Sequence, residues 1–175
     1  MTDAGSASVH ASSVLVGNRA VLIRGPSGAG KSRLAFDLIL AGRTGQIPPS
    51  VLVGDDRVHL EASGGQLVVR PSRELAGLIE IRGLGIRRCD FAEEAIVGLV
   101  VDLSAPDAER LPPPEVLLTR IYGVQLPRIP VRQGYDALPL IVAALTTTES
   151  SASPQPSADC SKGIGNHISP TLATE

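Results

Sequence analysis

Gly25-Pro26-Ser27-Gly28-Ala29-Gly30-Lys31-Ser32 is the stretch on which the reading of this chain turns. It meets the Walker A pattern at every fixed position. Glycines let the backbone curl so that successive N–H groups point inward at phosphate oxygens. The start of a following helix adds partial positive charge. In that setting Gly25 to Ser32 would cradle the phosphates of a nucleotide, Lys31 would reach the β- and γ-phosphates, and the Ser32 hydroxyl would ligate Mg²⁺.

The flanks have the required character. Ala20-Val21-Leu22-Ile23 is a short apolar run leading straight into the loop, as a buried strand would. Residues 14–16 pair with it in a predicted hairpin turned at Gly17-Asn18. After the loop the period changes. Leu34, Ala35, Leu38, Ile39 and Ala41 form one helical stripe, closed by Gly42. Lysine usage singles out the same spot. The chain has 14 Arg and two Lys, and Lys162 lies in a polar tail, so Lys31 is the one lysine of the body. A site that needs a compact ammonium rather than a planar fork explains the exception.

Further strands are expected at 51–53, 58–60, 67–69, 78–81 and 96–103. A loop is expected at 43–49, a Gly-rich corner at 83–85, and a final helix over 135–145 beyond the proline run 112–114. Ser63-Gly64-Gly65-Gln66 resembles a transporter-ATPase signature. It falls close behind the loop and between two apparent strands, so a hairpin turn explains it better. Three segments are expected: a flexible start over 1–7, a P-loop α/β domain over 8–145, and a disordered tail over 146–175. The tail is rich in Ser, Thr, Pro and Ala and has too little apolar surface to offset its ordering entropy.

Asp55-Asp56 ends the 51–53 strand. In P-loop proteins an acid at a neighbouring strand's end faces the nucleotide metal. Of two adjacent carboxylates, one can serve the metal and the other a proton. Gly54-Asp55-Asp56-Arg57 also makes a good solvated turn.

Composition closes off other classes. The 175 residues carry a net charge of −2, which offers no basic field for nucleic acid. No stretch approaches membrane-spanning length and no signal peptide is legible at the start. Cys89 and Cys160 are too few and too far apart for a disulfide framework or a zinc site. A reduced, cytoplasmic protein is expected, with an aliphatic core, because there is no Trp and only two Phe and two Tyr.

Taken in order, His10, the 25–32 loop, Asp55-Asp56-Arg57-Val58, Glu80-Ile81-Arg82-Gly83-Leu84-Gly85-Ile86 and Pro130-Val131-Arg132 resemble the catalytic domain of HPr kinase/phosphorylase. The 80–86 run is the most specific piece, since generic P-loop proteins lack it. The resemblance covers about residues 8–145 and is that of a short form without the family's N-terminal domain. It implies a P-loop fold akin to phosphoenolpyruvate carboxykinase, with a mixed sheet and a helix after Walker A. It implies a bifunctional enzyme that phosphorylates a serine of HPr, the small phosphocarrier of the sugar phosphotransferase system, from ATP or pyrophosphate. The reverse reaction removes the phosphate with inorganic phosphate and releases pyrophosphate. The resemblance also implies a homo-oligomer, a hexamer in the family. By it, Lys31 neutralises the phosphates, Ser32 and Glu80 bind Mg²⁺, Asp56 is the base, and Asp55 assists. His10 matches the catalytic histidine by spacing. Arg110 falls at a catalytic arginine, and Arg132 lies in the loop used for dephosphorylation. Without the resemblance, His10 would read as a solvated histidine in a polar segment.

The chain departs from the pattern in three places. Residues 87–95 are shorter than the family's loop, 43–54 is longer, and Gln133 and Tyr135 replace Pro and Arg. Two rival readings are a P-loop small-metabolite kinase and a nucleotide-binding regulator without catalysis. The first usually needs an arginine-rich lid and substrate domain for which there is little room. The second has no need of a base such as Asp56.

Overall fold

The computed structural model describes residues 7–149. The expected flexible start and disordered tail therefore lie mostly outside the described residues, as does Cys160. Eleven strands and two helices are present among those described. They are β1 (Ala7–Val9), β2 (Ser12–Val16), β3 (Arg19–Arg24), α1 (Lys31–Arg43), β4 (Ser50–Gly54), β5 (Val58–Ser63), β6 (Gln66–Pro71), β7 (Leu78–Ile81), β8 (Gly85–Arg88), β9 (Ala95–Leu103), β10 (Leu118–Ile121), β11 (Val124–Val131) and α2 (Leu138–Thr146). The main sheet is mixed and runs β1-β5-β6-β9-β3-β2-β4, with β11 also on β9 and β10 on β11. β7 and β8 form a separate ribbon. The fold is thus α/β with a mixed sheet.

Strand β3 is central because it is apolar on both faces. Val21 and Ile23 enter the core beneath α1, while Ala20 and Leu22 enter the core on the opposite face. This is the alternation of a strand with both sides covered, and it makes Ala20 to Ile23 read as an unbroken apolar run. On the α1 side Leu34, Ala35, Leu38 and Ile39 meet Val14, Val21, Ile23, Leu52 and Val101. Parallel pairing of β3 with β9 and of β9 with β11 brings the C-terminal ends of three strands together.

Those ends are joined by charge. Arg24 donates through Nε and Nη2 to both oxygens of Asp102, at 2.7 and 2.8 Å. Arg128 donates to Asp102 Oδ2 at 2.5 Å and grips Asp107 with two further bonds of 2.7 and 3.0 Å. Burial alone would raise the Asp102 carboxyl, but hydrogen bonds from Arg24 and Arg128 outweigh it and hold the group below its ordinary 3.8. Asp107 is lowered too, chiefly by its hydrogen bond from Arg128. A carboxylate with a depressed folded pKa stabilises the fold above its unfolded value, and that contribution is lost as pH falls through the folded value. Asp102→Ala should therefore cost about 3 kcal/mol at pH 7, because two arginines lose a buried counter-charge. Urea melts at pH 7 and pH 3 should show the gap between wild type and variant narrowing at the lower pH.

The helix α1 ends differently from expectation. Gly42 lies inside its last turn, and the left-handed residue is Gly45, with φ 75°. The amide of Gly45 donates to the Gly42 carbonyl, and that of Gln46 to the Ala41 carbonyl. This is the double closure of a Schellman end. Gly42 is glycine for space. A Cβ there would sit 2.7 Å from the Ser50 backbone nitrogen. Gly42→Ala gains about 1 kcal/mol of helix propensity. Pushing α1 off β4 should cost more, for a net loss of about 1–2 kcal/mol in chemical denaturation.

Four strands were not expected: β1, β8 and the two strands of the β10–β11 hairpin, all of which the patterning hid. Pro127 and Pro130 suppress a strand reading of β11. Its first half pairs with β10 and its second with β9, so each half has a single neighbour among the described strands. Proline is tolerated at such edge positions. The hairpin turns at Tyr122-Gly123, φ 46° and 81°, a mirror-image turn in which tyrosine is an uncommon first residue. The final helix starts at Leu138 rather than 135, because a turn closed by the Tyr135 amide on the Arg132 carbonyl precedes it. The Ser63–Gln66 segment is a hairpin turn between β5 and β6, as expected. No helix among the described residues is long and apolar enough to cross a membrane.

Candidate active site

The 25–32 loop leaves β3 and enters α1 at the sheet's C-terminal edge. At Gly25, φ 153°, a Cβ would meet the Leu103 Cβ at 3.0 Å and its carbonyl oxygen at 3.1 Å, so the loop begins pressed against the end of β9. Helix α1 starts at Lys31 with Gly30 as its cap residue and no side-chain cap. Its first-turn amides have no partner inside the helix, which makes this end a place for an anion.

Lys31 is folded into the curl of that loop and is 6% exposed. Its Nζ donates to the Gly25 and Pro26 carbonyls at 3.0 and 3.1 Å. Burial lowers its pKa, and the nearby carboxylates of Asp56 and then Asp55 act in the opposite sense. An ammonium has three donors, so two hold the loop and one is left for an incoming oxygen.

The two adjacent acids part company. The Arg57 amide donates to the Asp55 carbonyl at 2.7 Å across Asp56, whose φ is 63°. This tight three-residue turn forces successive side chains apart. Asp55 goes inward and is 3% exposed. Its carboxylate accepts the Ser12 hydroxyl at 2.5 Å and the Glu80 amide at 3.1 Å. Asp55 thereby ties β2 and β7 to the end of β4. Asp56 goes outward, where His10 Nε2 lies 3.0 Å from its Oδ1. Gly54-Asp55-Asp56-Arg57 is thus a turn and also a device that presents one carboxylate.

A cleft of about 910 Å³ lies over the loop and is lined by His10, Ser27 to Ser32, Asp56, Glu80 and Arg82. Further residues of α1 and of the turn before α2 also line it. Asp55, Arg110 and Arg132 do not line it. Arg110 and Arg132 are exposed on their own loops. Among residues that the sequence reading did not single out, Arg33, Phe36 and Asp37 line the cleft, as does Tyr135, noted there only as a departure. The spacing 33, 36, 37 marks one helical face and was a legible signal. Cys89 is a free, half-buried thiol with its pKa raised by burial, which gives it no reactive character.

The oxygen donors that line the cleft include the Ser32 hydroxyl and the carboxylates of Asp56 and Glu80. Among the described residues no cluster of three His, Cys, Asp or Glu forms a closed metal cage. Hard oxygens in an open arrangement suit Mg²⁺, which takes one or two carboxylates and completes its shell with phosphate oxygens and water. The donor set therefore fits a metal that arrives with a phosphate ligand.

The chain is similar to proteins already known. The HPr kinase/phosphorylase of Enterococcus faecalis is 36% identical over 151 residues, covering 78% of this chain and 46% of that protein. That of Clostridium beijerinckii is 40% identical over 78 residues, covering 45% and 24%. The chain thus spans less than half the length of these curated relatives. The structure of the Hpr(Ser) kinase/phosphatase from Coxiella burnetii matches with a TM-score of 0.63 and 28% identity, covering 79% of this chain and 93% of that one. Residues 3–159 match the family model described as the HPr Serine kinase C-terminal domain, and the chain belongs to that family.

Proposed function

We propose that this chain is an ATP-dependent serine kinase of an HPr-like phosphocarrier, and that it also runs the reverse phosphorolysis to pyrophosphate. The observation that carries the reading is the placement of Asp56. A carboxylate held outward by a tight turn, with His10 Nε2 3.0 Å away, shares one cleft with an uncapped helix start and a buried ammonium. A proton acceptor beside a phosphate cradle is what transfer to a hydroxyl requires.

In this reading the 25–32 loop acts as a P-loop. Its amides and the free donor of Lys31 hold the β- and γ-phosphates. Ser32 and Glu80 would hold Mg²⁺, which when bound offsets charge on the phosphate oxygens. Asp56 accepts the proton of the substrate serine as that oxygen forms its bond to the γ-phosphorus and the bond from phosphorus to the ADP oxygen breaks. His10 keeps the Asp56 carboxylate oriented. In reverse, inorganic phosphate attacks the phosphoserine, pyrophosphate forms, and Asp56 returns the proton to the serine oxygen. Asp55 assists from behind by fixing the turn. In this reading Arg110 and Arg132, exposed outside the cleft, meet the phosphocarrier rather than the nucleotide. Action in the cytoplasm, a homo-oligomeric assembly and kinship with phosphoenolpyruvate carboxykinase rest on the family likeness.

The small-metabolite alternative is not favoured, because the relatives are HPr kinases by name. The deciding experiment incubates the chain with ATP, Mg²⁺ and the host's HPr-like proteins and locates phosphoserine by mass spectrometry. Phosphorylation of a small metabolite with no phosphoserine formed would overturn the reading.

A further inference from the structure

Strand β2 opens with two serines, Ser12 and Ser13, that are both fully buried. A buried hydroxyl needs a partner, and a main-chain carbonyl would serve. Ser13 takes that course and donates to the Val21 carbonyl of β3 at 3.1 Å. Ser12 donates instead to Asp55 Oδ1 at 2.5 Å. Its partner is thus a carboxylate of the turn that presents Asp56.

The sheet brings the two together by an irregularity. In the antiparallel pairing of β2 with β4, Val14 stands opposite Leu52 but Ser13 stands opposite Gly54, so Val53 is an extra residue on β4. One further step in this register sets Asp55 against Ser12. Without the extra residue, Gly54 would stand there. Re-aiming a side chain in this way is a common use of a β-bulge beside a functional site. No side chain fits at position 54, where a Cβ would lie 2.8 Å from the Val58 side chain.

Three groups of the cleft meet at that contact. Asp56 is the next residue after Asp55. His10 stands two residues before Ser12, and its Nε2 lies 3.0 Å from Asp56 Oδ1. Two residues spaced by two therefore face two adjacent residues of one turn. Glu80 is reached through its own amide, which donates to the other Asp55 oxygen at 3.1 Å. His10, Asp56 and Glu80 line the cleft, whereas Ser12 and Asp55 do not.

We propose that Ser12 is a positioning residue for serine phosphorylation. Its hydroxyl fixes Asp55, and through Asp55 it sets Asp56 against His10 and holds Glu80 at the cleft. The proposal rests on the kinase reading above, in which Asp56 is the base and Glu80 a Mg²⁺ ligand. Partners that stand behind metal ligands set metal affinity, and a small misplacement of a reacting group is costly in rate.

The test measures serine phosphorylation of the host's HPr-like protein against ATP and Mg²⁺ concentration, with thermal melts beside it. In Ser12→Ala, kcat should fall about ten-fold or more while KM for ATP stays within about two-fold. The Mg²⁺ concentration for half-maximal rate should rise about ten-fold. Ser12→Thr keeps the donor and should restore both. Ser13→Ala removes an equally buried hydroxyl and should leave both as in wild type. Wild-type kcat and Mg²⁺ dependence in a folded Ser12→Ala overturns the positioning role. So does a Ser13→Ala variant with the same losses, or a Ser12→Thr variant with no recovery. If Ser12→Ala does not fold, Ser12→Cys, close in size but only a weak donor, takes its place. If that variant is unfolded too, Ser12 serves the fold alone and the proposal is overturned. A wild type that forms no phosphoserine overturns the kinase reading and this role with it. An active wild type beside an indifferent Ser12→Ala overturns this role alone.

Discussion

Lys31→Ala should abolish serine phosphorylation, with a rate loss of at least about a hundred-fold, or roughly 3 kcal/mol or more in barrier terms. The lost group is a buried ammonium, and charge stabilisation counts for most where water is excluded. The structure adds a second reason. Lys31 also ties down the Gly25 and Pro26 carbonyls, so the variant loses both the charge and the internal brace of the loop. Lys31→Arg should fail nearly as badly. A planar fork cannot sit inside a curl that already encloses an ammonium on two carbonyls. Steady-state kinase assays on both variants, with thermal melts as a control for folding, decide the matter. Near-normal rates in either variant would remove the phosphate-site reading.

Asp56→Asn should separate binding from chemistry. An amide keeps the shape and tolerates the left-handed backbone, since asparagine and aspartate are both at home at φ 63°. It cannot take a proton from serine. ATP affinity should fall little, while turnover falls by about 10²–10⁴. The reverse reaction should be damaged alike, because the same group must return the proton. Asp55→Asn should behave in a different way. Its carboxylate accepts the Ser12 hydroxyl and the Glu80 amide in a buried setting, so its loss should lower the melting temperature first and activity through displacement of the Asp56 turn. The assay is ATP binding, serine phosphorylation and phosphate-driven dephosphorylation on each variant. Wild-type turnover by Asp56→Asn would show that Asp56 is not the base.

Much of this was legible in the chain itself, for local reasons. The glycines, Lys31 and Ser32 of the loop, the apolar run of β3 and the stripe of α1 are set by residue chemistry within a few positions, which period and turn preferences report directly. The order of the two acids at the end of a strand was equally plain. Which carboxylate faces the cleft was not. Asp55 and Asp56 are the same residue type side by side. Their fates divide because Ser12 of β2 and the amide at Glu80 of β7 come from elsewhere to hold one of them. The Arg24–Asp102–Arg128 network was hidden for the same reason, since its members meet only when three parallel strands align. The strand β11 was masked by prolines whose tolerance depends on which edge of a strand is left unpaired. Tyr135 stood out in the sequence merely as an exception to a pattern. It gained a setting only when α2 packed on α1 and carried the turn into the lining of the cleft. Local chemistry determined what the loop is; long-range packing decided which side chains share its cleft.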